Sequence, residues 1–339
     1  MLKLRLTRKL LLRARRRRLQ LRALRKSREL RPVADRTDRI APRDILVFVT
    51  LRNEIERLPF FLDFYRNVGV HHFLVVDNGS TDGSGDYLQA QPDVSVWHST
   101  ASYRKARFGC DWLNALLARY AVGHWALTVD VDEFLVYPHA DVRPISALTD
   151  WLDSSSIKSF SAMLVDMYSR EPISQLSYRP GQNPFDLLSW FDPGNYLIRR
   201  DRKFGNLWIQ GGPRMRDIFA HDPALAPALN KIPLVKWRRG YVYASSTHNL
   251  LPRGLNLVFD EWGGEKPSGC LLHAKFLDLL DSKAKEEQQR REHYAGGREF
   301  DAYKRTIATG ETFWTEASLE YEGWRQLEEL GLMSSGGWI

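Results

Sequence analysis

The chain has 339 residues and a mass of 39.3 kDa, enough for one enzyme-sized domain with an appendage, because a single core stops growing near about 250–300 residues. Hydrophobic residues make up 43% and charged residues 27%, which excludes a fibrous or wholly disordered protein. The two cysteines, Cys110 and Cys270, lie 160 positions apart, which excludes a disulfide-stapled fold and a cysteine zinc cluster and indicates a reducing compartment.

Positive charge is concentrated at the N-terminus. Residues 1–43 contain 17 Lys and Arg and three acids, a net charge of +14, whereas residues 44–339 carry a net charge of −6. The overall charge of +8 therefore says nothing about the surface of the body. We call residues 1–31 the basic arm. Its longest apolar run, Leu10–Leu12, is too short for a secretory signal or a membrane span, and no later segment is apolar enough either.

Leucines in the basic arm predict a weak amphipathic helix. Leu2, Leu6 and Leu10 recur at helical spacing, whereas the later leucines are expected to drift off that face. Such an arginine-rich segment favours an anionic surface, either a membrane with acidic phospholipids or nucleic acid bound without sequence specificity. A solvated, disordered extension is the alternative. Residues 31–44 have two prolines and no apolar periodicity, which is typical of a linker.

From residue 45 onwards, short β-branched runs alternate with helical patterns, an order that indicates crossover units and a parallel sheet. Strands are predicted, in chain order, at residues 45–50, 73–76, 94–97, 125–129 and 160–167. Helices are predicted at residues 54–68, 85–89, 108–120 and, after an apolar run at 270–280, at 282–294. The stretch 170–265 is rich in Gly, Pro and aromatic residues, whose rings either pack in the core or line a sugar site.

Polar clusters follow three of the predicted strands, at Arg52–Glu54, Asp77–Asp82 and Asp130–Glu133. Ligands of parallel sheets bind beyond the carboxyl ends of the strands, so these clusters should converge on one side of the sheet. Asp77 is placed there to accept hydrogen bonds from a nucleoside base or ribose. The alternative is that its segment, DNGSTDGS, is a turn with a helix cap.

Asp130 and Asp132 stand directly after a buried strand, where two neighbouring unpaired carboxylates are costly. A hard cation, Mn²⁺ or Mg²⁺, resolves the conflict, because it binds carboxylate oxygens and commonly bridges them to substrate phosphates. If the strand is still extended at Asp132, both side chains point the same way and face one ion. The alternative is that Asp130 caps a turn and Asp132 begins a surface loop.

With these motifs in place, the chain resembles a known family. LRNE (51–54), VVDNGSTDGS (75–84) and DVDEFLVYP (130–138) are similar to motifs of family 2-like glycosyltransferases with the GT-A fold, in the branch with an extended DxDEF motif. The likeness continues to about residue 305 through SAMLVDMYS (161–169), FDPG (191–194), GGPRMR (211–216), KIPLVKW (231–237), STHNL (246–250) and LLHAKFLD (271–278).

The resemblance implies an α/β fold of the GT-A type, with a mainly parallel nucleotide-binding sheet flanked by helices and an irregular acceptor-side second half. The implied domains are a basic arm and linker (1–43), a glycosyltransferase domain (44–305) and a C-terminal extension (306–339). Within the glycosyltransferase domain, residues 44–140 would be the nucleotide-sugar-binding half and residues 141–305 the acceptor-side half.

The resemblance also implies roles for individual residues. The donor would be bound by Asn53, Glu54, Asp77, Asp130, Arg214, Arg216 and Lys275. The metal ion would be bound by Asp130, Asp132 and His273. A cation and nearby arginines would stabilise the charge that develops on the diphosphate leaving group. For His273 the alternative is a packed core residue.

Displacement at the anomeric carbon requires a base that takes the proton of the acceptor hydroxyl. Asp192, in the segment FDPG, is the first candidate, and a turn-forming aspartate is the alternative. Behind it stand Glu133, Asp166 and Asp217. His248 is expected either to orient the sugar or to pack.

Together these features predict an enzyme that depends on Mn²⁺ or Mg²⁺ and moves a sugar from a nucleotide-sugar donor to a glycan or lipid-linked acceptor. From the resemblance we expect inversion, a role in bacterial surface or extracellular polysaccharide synthesis, and a cytoplasmic location on the inner face of the membrane. One alternative is a sugar-phosphate nucleotidyltransferase, although LRNE (51–54) is not the glycine-rich loop that such enzymes carry. Another is a noncatalytic protein that binds nucleic acid or membranes through its arm, an idea that the acidic body weakens; specific nucleic-acid recognition is not expected.

Overall fold

The computed structural model describes residues 2–257, 266–280, 283–284, 286, 303 and 308–339. Its α-helices include α1 (Leu2–Lys26), α2 (Leu58–Asn67), α3 (Ser84–Gln89), α4 (Cys110–Tyr120), α5 (Ile145–Ser154) and α6 (Trp324–Glu329). The strands of the first half are β1 (Arg31–Ala34), β2 (Ile45–Leu51), β3 (His72–Asp77), β4 (Val94–His98), β5 (Trp125–Thr128), β6 (Glu133–Val136) and β7 (Ser159–Asp166). The later strands are β8 (Trp190–Phe191), β9 (Leu197–Asp201), β10 (Asn206–Gln210), β11 (Asn230–Lys236), β12 (Val242–Ser245), β13 (Asn249–Leu251), β14 (Ser268–His273) and β15 (Leu319–Glu320).

Nine of the described strands form one mixed sheet in the order β1-β4-β3-β2-β5-β11-β7-β14-β6. Apart from the antiparallel edge strand β1, its first half is parallel, because β4, β3, β2 and β5 all run in one direction. In the second half β11 lies antiparallel between β5 and β7, while β14 runs parallel to β7 and antiparallel to β6. The predicted α/β class, with parallel strands in the first half and an irregular second half, is confirmed.

The apolar run of β2 is continuous because helices cover both faces of the sheet. Side chains alternate between the two faces of a strand. Ile45, Val47 and Val49 accordingly pack in the same cluster as α2 and α5, whereas Leu46 and Phe48 pack in the cluster that contains α4. The strand that leads to the polar cluster Arg52–Glu54 is therefore held by packing on both faces.

Two predicted helices begin later than the sequence pattern suggested. The helix expected from residue 54 starts at Leu58, because Asn53 has a positive φ of 52° and the segment after it forms a turn closed by Arg57 N donating to Glu54 O. Pro59 then occupies the first turn of α2, where its missing N–H is tolerated. Likewise α4 starts only after Gly109, whose φ is +72°.

The N-terminal region is ordered and packed. Residues 2–26 form α1, so a disordered extension is wrong for this segment. Residues 31–34 of the expected linker form β1, an edge strand that pairs antiparallel with β4. The linker prediction is therefore wrong for these residues, because an edge strand needs only backbone pairing and its side chains need no apolar pattern.

C-terminal residues also pack against the body. β15 pairs with β8, and the ring of Trp338 lies 6.4 Å from that of Tyr137. The first four residues of the apolar run 270–280 belong to β14, which spans Ser268–His273. The predicted helix 282–294 falls almost entirely outside the described residues. No helix in the described ranges combines the length and the apolar character needed to cross a membrane.

Candidate active site

A cavity of about 230 Å³ opens at the carboxyl ends of β2, β3 and β5. Residues of all three predicted polar clusters line it, so their expected convergence is confirmed. The charged lining residues are Arg52, Glu54, Arg57, Asp130, Asp132, His273, Lys275, Lys283 and Glu286. The remaining lining residues are Thr50, Leu51, Asn78, Tyr103, Val131 and Leu280.

The two aspartates of the acidic motif lie in a turn. β5 ends at Thr128, and Glu133 N donates to Asp130 O over 3.1 Å, so the backbone is not extended between Asp130 and Asp132. The condition of a strand still extended at Asp132 is therefore not met, and the turn at Asp130 that was left as the alternative is present, because β6 reverses direction directly afterwards. Both aspartates nevertheless line the cavity, while Glu133, the first residue of β6, is buried.

A buried lysine forms ion pairs with two carboxylates of this turn. Lys231 Nζ, on β11, contacts a carboxylate oxygen of Glu133 and lies 3.2 Å from Asp130 Oδ2. Burial alone would lower the pKa of Lys231, but the two carboxylates outweigh it and raise this pKa. Burial raises the pKa of Glu133 to about 7, against the pull of Lys231. Glu133, a reserve candidate for the base, thus faces Lys231 rather than the cavity.

His273, at the end of β14, joins the outer aspartate to a buried one. Its Nε2 lies 3.3 Å from Asp132 Oδ2, and its Nδ1 lies 2.6 Å from Asp166 Oδ1. The other oxygen of Asp166 accepts a hydrogen bond from Arg214 Nε over 2.7 Å. Arg214 was expected to contact the donor, but it is buried and is absent from the residues that line the cavity.

The charged groups around His273 determine which nitrogen of its imidazole carries a proton. Burial would raise the pKa of Asp166, but Arg214 and His273 lower it to about 2. An ionised Asp166 only accepts hydrogen bonds, so Nδ1 of His273 must donate. Burial would likewise lower the pKa of His273, yet Asp132 and Asp166 raise it. The pKa of Asp132 is in turn held well below its usual value, against burial, by His273, Arg57 and Lys275.

Asp132 and His273 suit a divalent cation. Carboxylate oxygen and imidazole nitrogen are donors that Mn²⁺ accepts, and a carboxylate behind the imidazole is the usual support of a metal-binding histidine. The described residues contain no group of three or more His, Cys, Asp or Glu side chains arranged to hold a metal. Two protein ligands leave the other positions for water and phosphate, the arrangement typical of Mg²⁺ and Mn²⁺ at diphosphates.

Two buried polar atoms at the cavity lack partners among the described residues: Arg57 Nε and Thr50 Oγ1. Arg57 is almost fully buried and contacts Glu54 Oε2 through Nη1 over 3.0 Å. Leaving such donors unpaired is costly, so a ligand with acceptor oxygens fits here. Sequence reasoning missed Arg57, although its position three residues after Glu54, at the start of a helix, is a local signal for that ion pair.

Glu54 lines the cavity as expected, whereas Asn53, which was also expected there, is not among the lining residues. Other side chains contact both of them. Asn53 Oδ1 accepts from Thr81 N over 2.8 Å, and Asn53 Nδ2 donates to Glu286 over 3.0 Å. Lys283 Nζ donates to Glu54 over 2.7 Å. Lys283 and Glu286 were missed, because they come from a part of the sequence without a motif.

Asp77 takes part in a turn, which was the alternative to a nucleoside contact. It is buried, its Oδ1 accepts hydrogen bonds from the N and Oγ of Ser80 over 2.9 and 2.6 Å, and it does not line the cavity. Its carboxylate closes the turn after β3. Its neighbour Asn78 lines the cavity instead.

Asp192, the first candidate for the base, lies in a separate ionic cluster. Its carboxylate accepts hydrogen bonds from Tyr168 and from Arg216, whose Nη2 is 3.1 Å away. Arg216 also contacts Asp217 over 2.8 Å, and burial raises the pKa of Asp217 to about 6. None of these residues is among those that line the cavity. Lys275, by contrast, does line it.

His248 packs rather than facing the cavity. Its Nδ1 lies 2.7 Å from Asn230 O, its ring lies 6.2 Å from that of Trp208, and burial lowers its pKa to about 4.

The chain is similar to a mannosyltransferase from Pyrobaculum calidifontis, PcManGT, in complex with GDP-Man and Mn²⁺, with 15% sequence identity and a TM-score of 0.33. The match covers 89% of this chain and 86% of the other. A likeness this distant carries no argument about fold or activity. No protein-family model matches the chain, and no curated protein matches its sequence.

Proposed function

We propose that the protein is a metal-dependent glycosyltransferase of the GT-A type that uses a nucleotide-sugar donor. The observation that supports this most is the pairing of Asp132 with His273 at a cavity beyond a parallel sheet, with the unpartnered Arg57 Nε beside it. A cation donor set next to a buried guanidinium fits a diphosphate, which carries both metal-binding oxygens and hydrogen-bond acceptors.

In this proposal different residues bind different parts of the donor. Asp132 and His273 hold Mn²⁺ or Mg²⁺, and the bound cation supplies charge stabilisation for the departing diphosphate. Arg57 and Lys275 contact the diphosphate, and Arg52 and Asn78 border the nucleoside. For Asn53, which does not line the cavity, a nucleoside contact is proposed on the resemblance alone. Asp130, which lines the cavity and is held by Lys231, contacts the ribose. Arg214 holds Asp166, the carboxylate that contacts His273. Donor contacts were first expected for Arg214, Arg216 and Asp77, but none of these residues lines the cavity.

The acceptor side is proposed on the resemblance alone. We propose transfer with inversion to a glycan or lipid-linked acceptor, in the synthesis of bacterial surface or extracellular polysaccharide, by a cytoplasmic enzyme at the inner face of the membrane. Asp192 stays the proposed base. Its pairing with Tyr168 and Arg216 means that it would have to exchange a partner before it could accept a proton.

Thermal denaturation with a panel of nucleoside diphosphates and nucleotide sugars, each with and without Mn²⁺, tests the proposal. Ligands that bind the native state raise its melting temperature, so at least one nucleotide should do so only when Mn²⁺ is present. Asp132→Asn should abolish that shift. Asp63→Asn, which changes an aspartate on the exposed face of α2 whose side chain is 67% accessible, is the matched control and should keep it.

The same preparation should release free nucleoside diphosphate from the stabilising sugar donor, either by transfer or by slow hydrolysis. A nucleotide panel that gives no cation-dependent shift, or a shift that Asp132→Asn leaves intact, contradicts the proposal.

A further inference from the structure

α1 has two faces with opposite surroundings. On the inner face Leu19 and Ala23 are buried, and Leu19 packs with Phe204 and Val242 of the body. Polar contacts add to this docking: Arg22 Nε lies 2.6 Å from the buried Asp111 Oδ2. The helix is therefore fixed to the body, and its orientation decides which residues point outward.

The outer face combines leucine with arginine. Leu10, Leu21 and Leu24 are between 55% and 68% exposed. At about 100° per residue these three leucines fall within about 60° of one another and opposite Leu19. The expected drift of the later leucines off the face of Leu10 is thus wrong for Leu21 and Leu24. Within residues 8–26 of α1, the exposed basic residues are Arg8, Lys9, Arg13, Arg17, Arg18 and Arg25.

A shallow groove runs along this face, lined by Ala14, Leu21 and the arginines Arg17, Arg18 and Arg25, with Arg22, which pairs with Asp111, at its inner edge. Guanidinium groups bind phosphate oxygens through paired hydrogen bonds, and the adjoining leucines offer apolar surface. Residues 2–26 contain 12 Lys and Arg and no acid, so nothing on the helix itself neutralises the groove.

We propose that the outer face of α1 is a docking surface for a membrane that contains acidic phospholipids. Both halves of its chemistry are used there, because arginines meet headgroup phosphates while leucines enter the acyl boundary. Two other partners fit less well. A second copy of the chain would place two positively charged helices without acidic residues against each other, and nucleic acid would leave the leucines in contact with water. The outer face of α1 would be the surface through which the protein reaches its proposed location at the membrane. This inference does not depend on sugar transfer.

Sedimentation of the full chain with lipid vesicles tests the surface. Removal of the arm is a poor test, because it would uncover the inner face and leave Asp111 without Arg22. Affinity for vesicles of phosphatidylcholine mixed with phosphatidylglycerol should exceed that for phosphatidylcholine alone at least about tenfold, and salt should weaken it.

Two sets of substitutions separate the contributions. Leu10→Ser with Leu21→Ser and Leu24→Ser should lower the affinity for anionic vesicles about tenfold or more while leaving the melting temperature unchanged. Arg13→Gln with Arg17→Gln and Arg18→Gln should remove the preference for anionic lipid. Val142→Ser, which alters an apolar side chain that is 72% exposed on the body, is the control and should bind like the wild type.

Three results would overturn the proposal. One is equal binding to both kinds of vesicle, or to neither. Another is a dimer, seen by light scattering, that the leucine substitutions dissociate. The third is tight binding to a DNA duplex that the leucine substitutions do not affect, combined with vesicle binding that they also leave unchanged.

Discussion

Asp166→Asn should weaken Mn²⁺ binding although Asp166 does not line the cavity. Asp166 fixes the imidazole of His273, because an ionised carboxylate requires Nδ1 to donate and so directs Nε2 towards Asp132. An asparagine can present its amide to Nδ1 in either orientation, so this constraint is lost. Replacing the group behind a metal-binding histidine typically lowers metal affinity about 10–100-fold.

The same substitution should cost stability. The side chains of Asp166 and Arg214 are 1% and 5% exposed, so water cannot replace the lost partner. The lowering of the Asp166 pKa from 3.8 to about 2 corresponds to roughly 2 kcal/mol. Breaking a buried pair typically costs about 3–5 kcal/mol, because one charge is left unpaired. We therefore expect the free energy of unfolding to fall by about 2–4 kcal/mol.

Manganese titration followed by electron paramagnetic resonance, with urea unfolding in parallel, measures both effects. Asp111→Asn is the matched control, since Asp111 is fully buried between Arg22 and Arg107 but does not line the cavity. It should lose stability and keep its Mn²⁺ affinity. Asp166→Glu, which retains the charge, should recover part of both losses. The reasoning fails if Asp166→Asn binds Mn²⁺ like the wild type, or if Asp111→Asn weakens binding equally.

Three further predictions concern other parts of the site and its support. Arg57→Gln should weaken binding of the stabilising nucleoside diphosphate about 10–100-fold, because hydrogen bonds to charged groups contribute about 1.5–3 kcal/mol; unchanged affinity in calorimetry would count against a diphosphate there. Gly109→Ala should lower the free energy of unfolding by more than Gly123→Ala does. Both positions have positive φ, but an added Cβ at Gly109 would lie 2.9 Å from Thr50 Oγ1, whereas at Gly123 it meets nothing within 4 Å; equal losses in urea unfolding would refute the steric argument. His248→Asn should flatten the loss of stability between pH 6.5 and 4. The unfolded chain protonates this histidine near pH 6.5 and the folded chain only near pH 4, so acidification favours unfolding by up to about 3 kcal/mol, and unfolding curves with the same pH dependence in both proteins would contradict it.

Sequence patterns were sufficient where local sequence decides the outcome. The strands β2 to β5 were predicted within a few residues, because each is a short apolar run bounded by turn formers, and helices cover both faces of the sheet. Their order along the chain also placed the polar clusters at one edge, since parallel strands share a direction. The helix starts were less accurate, because Asn53 and Gly109 adopt positive φ angles that apolar spacing does not reveal.

The partners of the site residues could not be predicted, because they come from distant parts of the chain. His273 meets Asp166 across 107 positions, and Lys231 meets Glu133 across 98. Nothing in the local pattern around Lys231 distinguishes it from a lysine on a solvent-exposed strand. The docking of α1 depends in the same way on Arg22 and Asp111, which are 89 positions apart.

The acidic motif gains a physical interpretation from these long-range pairs. Asp130 and Asp132 face the cavity, whereas Glu133 points inward to Lys231. The lysine thus neutralises the rear of the turn, as Arg214 neutralises Asp166 behind His273. With both buried carboxylates compensated by buried cations, the negative charge that is left for a ligand lies on the cavity side. A divalent cation with a diphosphate would complete that balance, because the cation offsets the aspartates while Arg57 and Lys275 face the phosphates.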